Sequence, residues 1–562
     1  MNRASGRPRL LIVGLDGATW DLIEPWAREG KLPFLARLMT EGTYSDLNST
    51  VLPISPPAWA SFMTGKNPGK HGIFDFTGRD WASYRMRILR RPSEPTFWNI
   101  LNQHGYRVGV INVPQTYPPE QVNGFVVTGL GTPSDKTFTH PPELTAPLLK
   151  RGFRPTPGLH YRPGKESELL ECILSATDTV TEITIDLMSR EPWDVFVVVL
   201  RITDEASHFF WKHMDATHPA HSSEGAAYRS ALLTCYQKAD DALRQIVEAA
   251  GEDITLFVMS DHGSGPLYKN VFLNEWLKHE GLLVPKEEKT ASSLLVQLLL
   301  RSGLTRTDVG RALSRMRLGK FKAWLRDRLG DRINVIPNVA RPRLQEVVDW
   351  SQTRAYSVGY MGQIYVNLKG RDPQGTVEPG ADYEHVRDQI IERLLQLQDP
   401  QTGEKVVDRV IKKEEVYQGR YLEQAPDLFI YMKDLSYITH GSYDLSPMGG
   451  VFASPATYES GGHRQLGILL AWGKRIVSGR AMHKAHLTEI VDLAPTVLYL
   501  MGCAVPQDMD GRVITSFIEP DYVSAHPVVH TSPEGAVPED ERYMTDQEEQ
   551  DLIDRLKGLG YL

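Results

Sequence analysis

Three apolar runs of six residues are each followed within four residues by an aspartate, and this pattern constrains the fold more than any other feature. LLIVGL at 10–15 runs into Asp16, VFVVVL at 195–200 precedes Asp204, and ITLFVM at 254–259 precedes Asp261. Further runs of this kind stand at 106–113 (YRVGVINV) and 466–472 (LGILLAW). None alternates apolar with polar, so each reads as a strand buried on both faces, which is the habit of parallel sheets. Helical patterns lie between them, such as residues 227–250, and a helix is expected from about Trp20. Strands alternating with helices predict an α/β protein with a mostly parallel central sheet and helices on both faces. In such sheets ligands bind outside the carboxyl ends of the strands, and that is where the aspartates sit.

Composition adds exclusions. Of 562 residues, 41% are hydrophobic and 23% charged, which suits a globular protein and excludes disorder. A net charge of −8 gives no support to a nucleic-acid polymer as partner. The three cysteines, Cys172, Cys235 and Cys503, are far apart and define neither a disulfide framework nor a thiolate metal site. The chain begins MNRASGRPRLLIVGLDG, a short basic lead that runs directly into the first strand, whereas a secretory signal needs a longer apolar region. No stretch reaches the roughly 18 apolar residues of a membrane span, and a cytoplasmic location is expected.

Along the chain, residues 1–284 read as the first part of an α/β catalytic core and 346–518 as its second part. Between them, 285–345 reads as a helical insert rich in cations, among them Arg311, Arg315, Lys320 and Arg326. A solvated helical face, a lid over an anionic substrate and peripheral contact with a membrane surface all fit that composition. Residues 519–562 form a tail, polar at first. Its end carries Thr545 and Glu548 at capping-box spacing before an amphipathic helix.

Five clusters carry chemistry. Asp16 ends the first strand. Ser55 precedes Pro56, Pro57 and a helical AWASFM, which places it at or beside a helix N-cap, where the helix dipole favours an anion. Asp204 and His208 are four apart and share one face of a helical turn. Asp261 and His262 follow a strand directly, within Ser-Asp-His-Gly, and His463 follows two glycines. Singly, these residues also fit a capping serine, a surface aspartate, a polar turn and a loop histidine. Together they supply three carboxylates, three imidazoles and a hydroxyl, the donor set for two divalent ions a few ångströms apart.

The order of these clusters resembles the alkaline-phosphatase superfamily, and within it the type I phosphodiesterase/nucleotide pyrophosphatase branch. The matching pieces are GLDG at Asp16, PISPPAWASFMTGKNPGKHGI around Ser55, TDEASH, SDHG, GGHR, and DLAPTVLYLMG from Asp492, so the likeness spans about residues 9–515. The resemblance implies an alkaline-phosphatase-like fold. It implies one ion held by Asp204, His208 and His463, and another held by Asp16, Asp261, His262 and the Ser55 oxygen. Zinc is the first expectation from the mixed nitrogen and oxygen donors, with manganese and iron open. Ser55 becomes the nucleophile because it stands nine residues before Thr64-Gly65, the register of that branch. The implied reaction cleaves a small phosphate ester, a diester or pyrophosphate-type bond, through a phosphoseryl intermediate.

One departure stands out. Nucleotide pyrophosphatases carry an asparagine donor to phosphate early in this block, yet no asparagine occurs between Ser55 and Lys66. A backbone amide, Lys66, Lys70 or an arginine is left to supply it. The competing readings are a phosphomonoesterase or phosphotransferase on the same metal core, and an inert binding protein that keeps the fold.

Overall fold

The computed structural model describes residues 8–88, 91–133, 136–158, 161, 164–286, 344–439, 450–455, 459–482, 488–533, 535 and 544–558. Nearly all of the basic insert, residues 287–343, lies outside the described residues, and so do its expected helices.

A ten-stranded sheet forms the centre. Its strands in chain order are β1 (Leu10–Leu15), β2 (Thr43–Asn48), β3 (Val108–Val113), β4 (Gly124–Thr128), β5 (Thr139–His140), β6 (Val195–Leu200), β7 (Thr255–Met259), β8 (Leu466–Gly473), β9 (Arg480–Ala481) and β10 (Thr488–Glu489). Their spatial order is β9-β2-β8-β7-β1-β6-β3-β4-β5, with β10 also on β2. The middle is parallel: β1 lies between β6 and β7 in register Leu10↔Val195 and Leu10↔Thr255. β8 enters antiparallel between β7 and β2, so the α/β class with a mostly parallel sheet is as expected. The apolar runs explain themselves in burial. Leu11, Val13 and Leu15 of β1 join one hydrophobic cluster, while Leu10 and Ile12 join another across the sheet. Both faces of β1 are dry, and no polar residue interrupts it.

Helices cover these faces, including α1 (Ser55–Thr64), α2 (Ile202–Met214), α3 (Ala231–Ala250) and, near the C-terminus, α4 (Asp546–Gly558). Every residue of α1 is buried, so it has no polar face to show. The span read as the second part of the core divides in two. Residues 355–432 build a separate four-stranded antiparallel sheet with its own hydrophobic cluster, and the central sheet resumes only at Leu466. Cys235 and Cys503 are buried free thiols and Cys172 is exposed. Among the described residues, no helix is long and apolar enough to cross a membrane.

Candidate active site

Three strand ends and one antiparallel bridge converge at the carboxyl edge of the sheet. Asp16 follows β1, Asp261 and His262 follow β7, and α2 carries Asp204 and His208 after β6. His463 arrives on the short strand Gly461–Arg464, which pairs with Gly263–Pro266 and so lies against the residues just after His262. All six, and Ser55, are buried. Gly17 makes the convergence possible: its φ is +65°, and a Cβ there would stand 2.9 Å from Asp204 Cβ.

The donor atoms form two overlapping groups. Asp204 Oδ1 lies 3.4 Å from His208 Nε2 and 3.6 Å from His463 Nε2, and the two ring nitrogens are 3.3 Å apart. His262 Nε2 lies 3.3 Å from Asp261 Oδ2, 3.7 Å from Asp16 Oδ1 and 3.1 Å from Ser55 Oγ. A tetrahedral ion with bonds of about 2.1 Å sets its donors about 3.4 Å apart, and both groups match that edge. Asp204, His262 and His463 also offer donors within 4.8 Å of one another, so His262 stands between the two groups.

The surroundings fit ion binding. Asp16 Oδ1 and Asp261 Oδ2 are buried oxygens that accept no hydrogen bond from a donor, a costly arrangement unless a cation faces them. His262 Nδ1 lies 3.0 Å from Gly263 O, and His463 Nδ1 lies 2.7 Å from Pro53 O. Each carbonyl accepts a hydrogen bond from Nδ1–H, which leaves the Nε2 lone pair facing the centre, as ligating histidines require. Burial, then the charges of Asp261 and Asp204, hold the Asp16 carboxyl well above the usual carboxylate range. Asp261 is raised too, chiefly by burial. Burial opposes ionisation of Asp204 as well, but the charge and hydrogen bond of His208, above all, outweigh it and hold that carboxyl low. Burial and the neighbouring His262 push His463 well below the ordinary imidazole value, so its ring is neutral.

Ser55 stands beside the cap, within the placement expected from the sequence. Ile54 occupies the N-cap without a side-chain hydrogen bond, and Ser55 is the first residue of α1. Pro56 and Pro57 suit this turn, because they have no N–H to leave unpaired. The hydroxyl is thereby free to face His262 instead of its own helix.

Lys66 and Lys70 are not brought to this centre. They follow the far end of α1, a ten-residue helix and therefore about 15 Å long. Lys66 Nζ is buried against Glu94 Oε2 at 2.7 Å and against Asp508. Lys70 Nζ meets Asp510 Oδ1 at 2.5 Å. Their charges are matched by carboxylates, which answers the expectation of phosphate donors with a structural role.

The sequence alone did not single out three neighbours. Trp59 Nε1 donates to Asp16 Oδ2 at 3.3 Å. Arg201, at the end of β6, is buried beside Glu205 at 3.4 Å, and its charge favours the ionised form of Asp16. Tyr360 reaches the centre from the four-stranded sheet, its ring 5.6 Å from that of His463. Trp59 lies one turn beyond Ser55 on α1, a spacing that could have flagged it, whereas nothing local marks Tyr360.

Comparison with solved structures returns matches at low identity. Human ectonucleotide pyrophosphatase/phosphodiesterase 5 is 12% identical, with a TM-score of 0.47, covering 92% of this chain and 99% of that one. Phosphonoacetate hydrolase from Sinorhizobium meliloti 1021, in complex with phosphonoacetate, is 13% identical, with a TM-score of 0.49, covering 88% and 96%. No curated protein matches in sequence. The family model described as type I phosphodiesterase/nucleotide pyrophosphatase matches residues 10–463, a span that takes in every residue of the centre. The chain belongs to the type I phosphodiesterase/nucleotide pyrophosphatase family, a family of phosphoester hydrolases.

Proposed function

We propose that this chain is a two-metal phosphodiesterase that cleaves a small phosphate diester or pyrophosphate-type bond through a phosphoseryl intermediate on Ser55. The observation that carries the reading is the pair of buried donor groups with 3.1–3.7 Å edges, one of which includes the Ser55 hydroxyl. Asp204, His208 and His463 would hold one ion, and Asp16, Asp261, His262 and Ser55 Oγ the other. Two bound ions supply charge neutralisation for the phosphoryl oxygens and acidify the serine hydroxyl. Zinc suits the mixed imidazole and carboxylate donors best.

The residues then divide the work. Ser55 Oγ, fixed at the start of a wholly buried helix, attacks phosphorus in line; the Oγ–P bond forms and the ester P–O bond breaks. The proton of the Ser55 hydroxyl passes to solvent, and the leaving oxygen takes one up and departs as an alcohol, or as a phosphate where the bond is of the pyrophosphate type. Water then cleaves the phosphoseryl bond and restores the hydroxyl. The fixed rings of His262 and His463 need no reorientation during this cycle, so positioning and charge supply most of the rate.

Elemental analysis of the purified protein should find two ions per chain. A turnover panel should favour bis-p-nitrophenyl phosphate over p-nitrophenyl phosphate. Ser55→Ala should keep the ions and lose turnover by several orders of magnitude. Wild-type turnover by the alanine variant would overturn the nucleophile. Preference for the monoester, or phosphate passed to an added alcohol, would move the reading to a monoesterase or phosphotransferase.

A further inference from the structure

A loop of the four-stranded sheet of residues 355–432 reaches the centre. Strands Ala355–Ser357 and Gln363–Val366 are antiparallel, and the loop between them, 358–362, carries Tyr360 and Met361. Both side chains are buried and belong to the hydrophobic cluster of the central sheet, whereas the flanking strands belong to the cluster of their own sheet. The loop therefore crosses from one core to the other.

Its shape is fixed by a buried carboxylate. Asp75 Oδ2 accepts from Tyr360 N at 2.7 Å and from Gln363 Nε2 at 3.0 Å, while Asp75 Oδ1 accepts from Phe76 N at 2.6 Å. Gly359, at φ +108°, leaves no room for a side chain: a Cβ would stand 2.3 Å from Gln363 Oε1 and 2.7 Å from Asp75 Oδ2. Only a glycine satisfies both demands. What the loop delivers is an aromatic ring against a metal-type imidazole. His463 is already held at Nδ1 by Pro53 O and is stacked on His262 with ring centroids 3.7 Å apart. Tyr360 adds a third restraint, and among the described residues it is the ring that the four-stranded sheet places on this centre.

We infer that Tyr360, latched by Asp75, is a positioning residue that holds the His463 ring in ion-binding orientation, so that the four-stranded sheet completes the Asp204–His208–His463 position. This rests on the two-metal reading above. An imidazole that must bind through Nε2 loses affinity when it can rotate, and partners outside the ligand set typically govern metal affinity by 10- to 100-fold.

Zinc titration against a chromogenic chelator tests this on the full chain. Wild type should bind two ions. Tyr360→Ala should weaken one of them by about ten-fold or more and leave the other unchanged, and Tyr360→Phe, which keeps the ring, should restore both. Gln363→Ala, which removes one hydrogen bond from the latch, should weaken the same ion by a smaller factor. If Tyr360→Ala does not fold, Tyr360→Leu keeps the bulk without the ring, with the same expectation. Two ions at wild-type affinity in the folded variant would overturn the inference, even if its melting temperature falls, because ordinary packing loss accounts for that. A wild type that binds fewer than two ions would instead remove the two-metal reading itself.

Discussion

Asp16 and Asp261 share a buried site in which burial favours their protonated forms, aided at Asp16 by the charges of Asp261 and Asp204 and at Asp261 by that of Asp204. A divalent ion needs the carboxylates, so binding must expel protons, and affinity must fall as pH is lowered through the raised carboxyl range. His463 is held neutral and has no proton to give up. Calorimetric titration with zinc in two buffers of different ionisation enthalpy should show net proton release, and Asp16→Asn should release fewer protons. A second consequence concerns His71. Ile73 N donates to His71 Nδ1 at 3.2 Å, so the proton sits on Nε2, 3.0 Å from Ser61 Oγ. Burial pushes this imidazole down to about 3. Its folded-state value lies below the unfolded one near 6.5, so the stability it contributes is full above about pH 6.5 and is lost as pH falls toward 3, by at most about 1.4 kcal/mol per pH unit. Urea unfolding of wild type and His71→Gln should converge in slope above pH 6.5, with the variant losing less stability between pH 6.5 and 4.5. At this scale the sequence was informative where chemistry is local: Asp204 and His208 share a helix face because they are four apart. It offered Lys66 as a phosphate donor and did not foresee its carboxylate partners, Glu94 and Asp508, which come from distant segments.

At the scale of elements, α4 shows how a terminal helix becomes part of the body. Its start is as the spacing predicts: Thr545 N donates to Glu548 Oε2 at 2.7 Å, and Glu548 N donates back to Thr545 Oγ1 at 3.3 Å. Its docking was not legible, because an amphipathic pattern gives a face without an address. Glu549 Oε1 accepts from Ile88 N at 2.7 Å and Glu549 Oε2 from Arg87 Nη1 at 2.9 Å, while Leu552 and Leu556 are buried in the main cluster. Leu552→Ala should therefore cost about 2–5 kcal/mol, and Thr545→Ala about 1 kcal/mol, both read by chemical denaturation. A Leu552→Ala cost as small as that of an exposed position would mean that the helix does not dock. Five strands of the central sheet, by contrast, were readable to within a residue or two, since a run buried on both faces has no other use for consecutive apolar side chains, while the other five were not singled out.

For the whole molecule, two bound ions would join α1, α2 and the residues following β1 and β7, and folding should be linked to them. Ions present at 100 times their Kd add about 2.7 kcal/mol per site. Chelation should lower the melting temperature of wild type, zinc should restore it, and Asp261→Ala should respond less to either. The sequence by itself determined the α/β class, the residue types at the strand ends and the family register that selects Ser55, because strand burial and motif spacing are properties of neighbouring residues. The meeting of His463 with His208 across 255 residues followed from the family resemblance, and only the tertiary structure decided that Lys66 and Lys70 are matched elsewhere and that a loop of a second sheet sets Tyr360 on the centre. Those contacts follow from the order of strands in the sheet and the docking of one core on another, which no local period encodes.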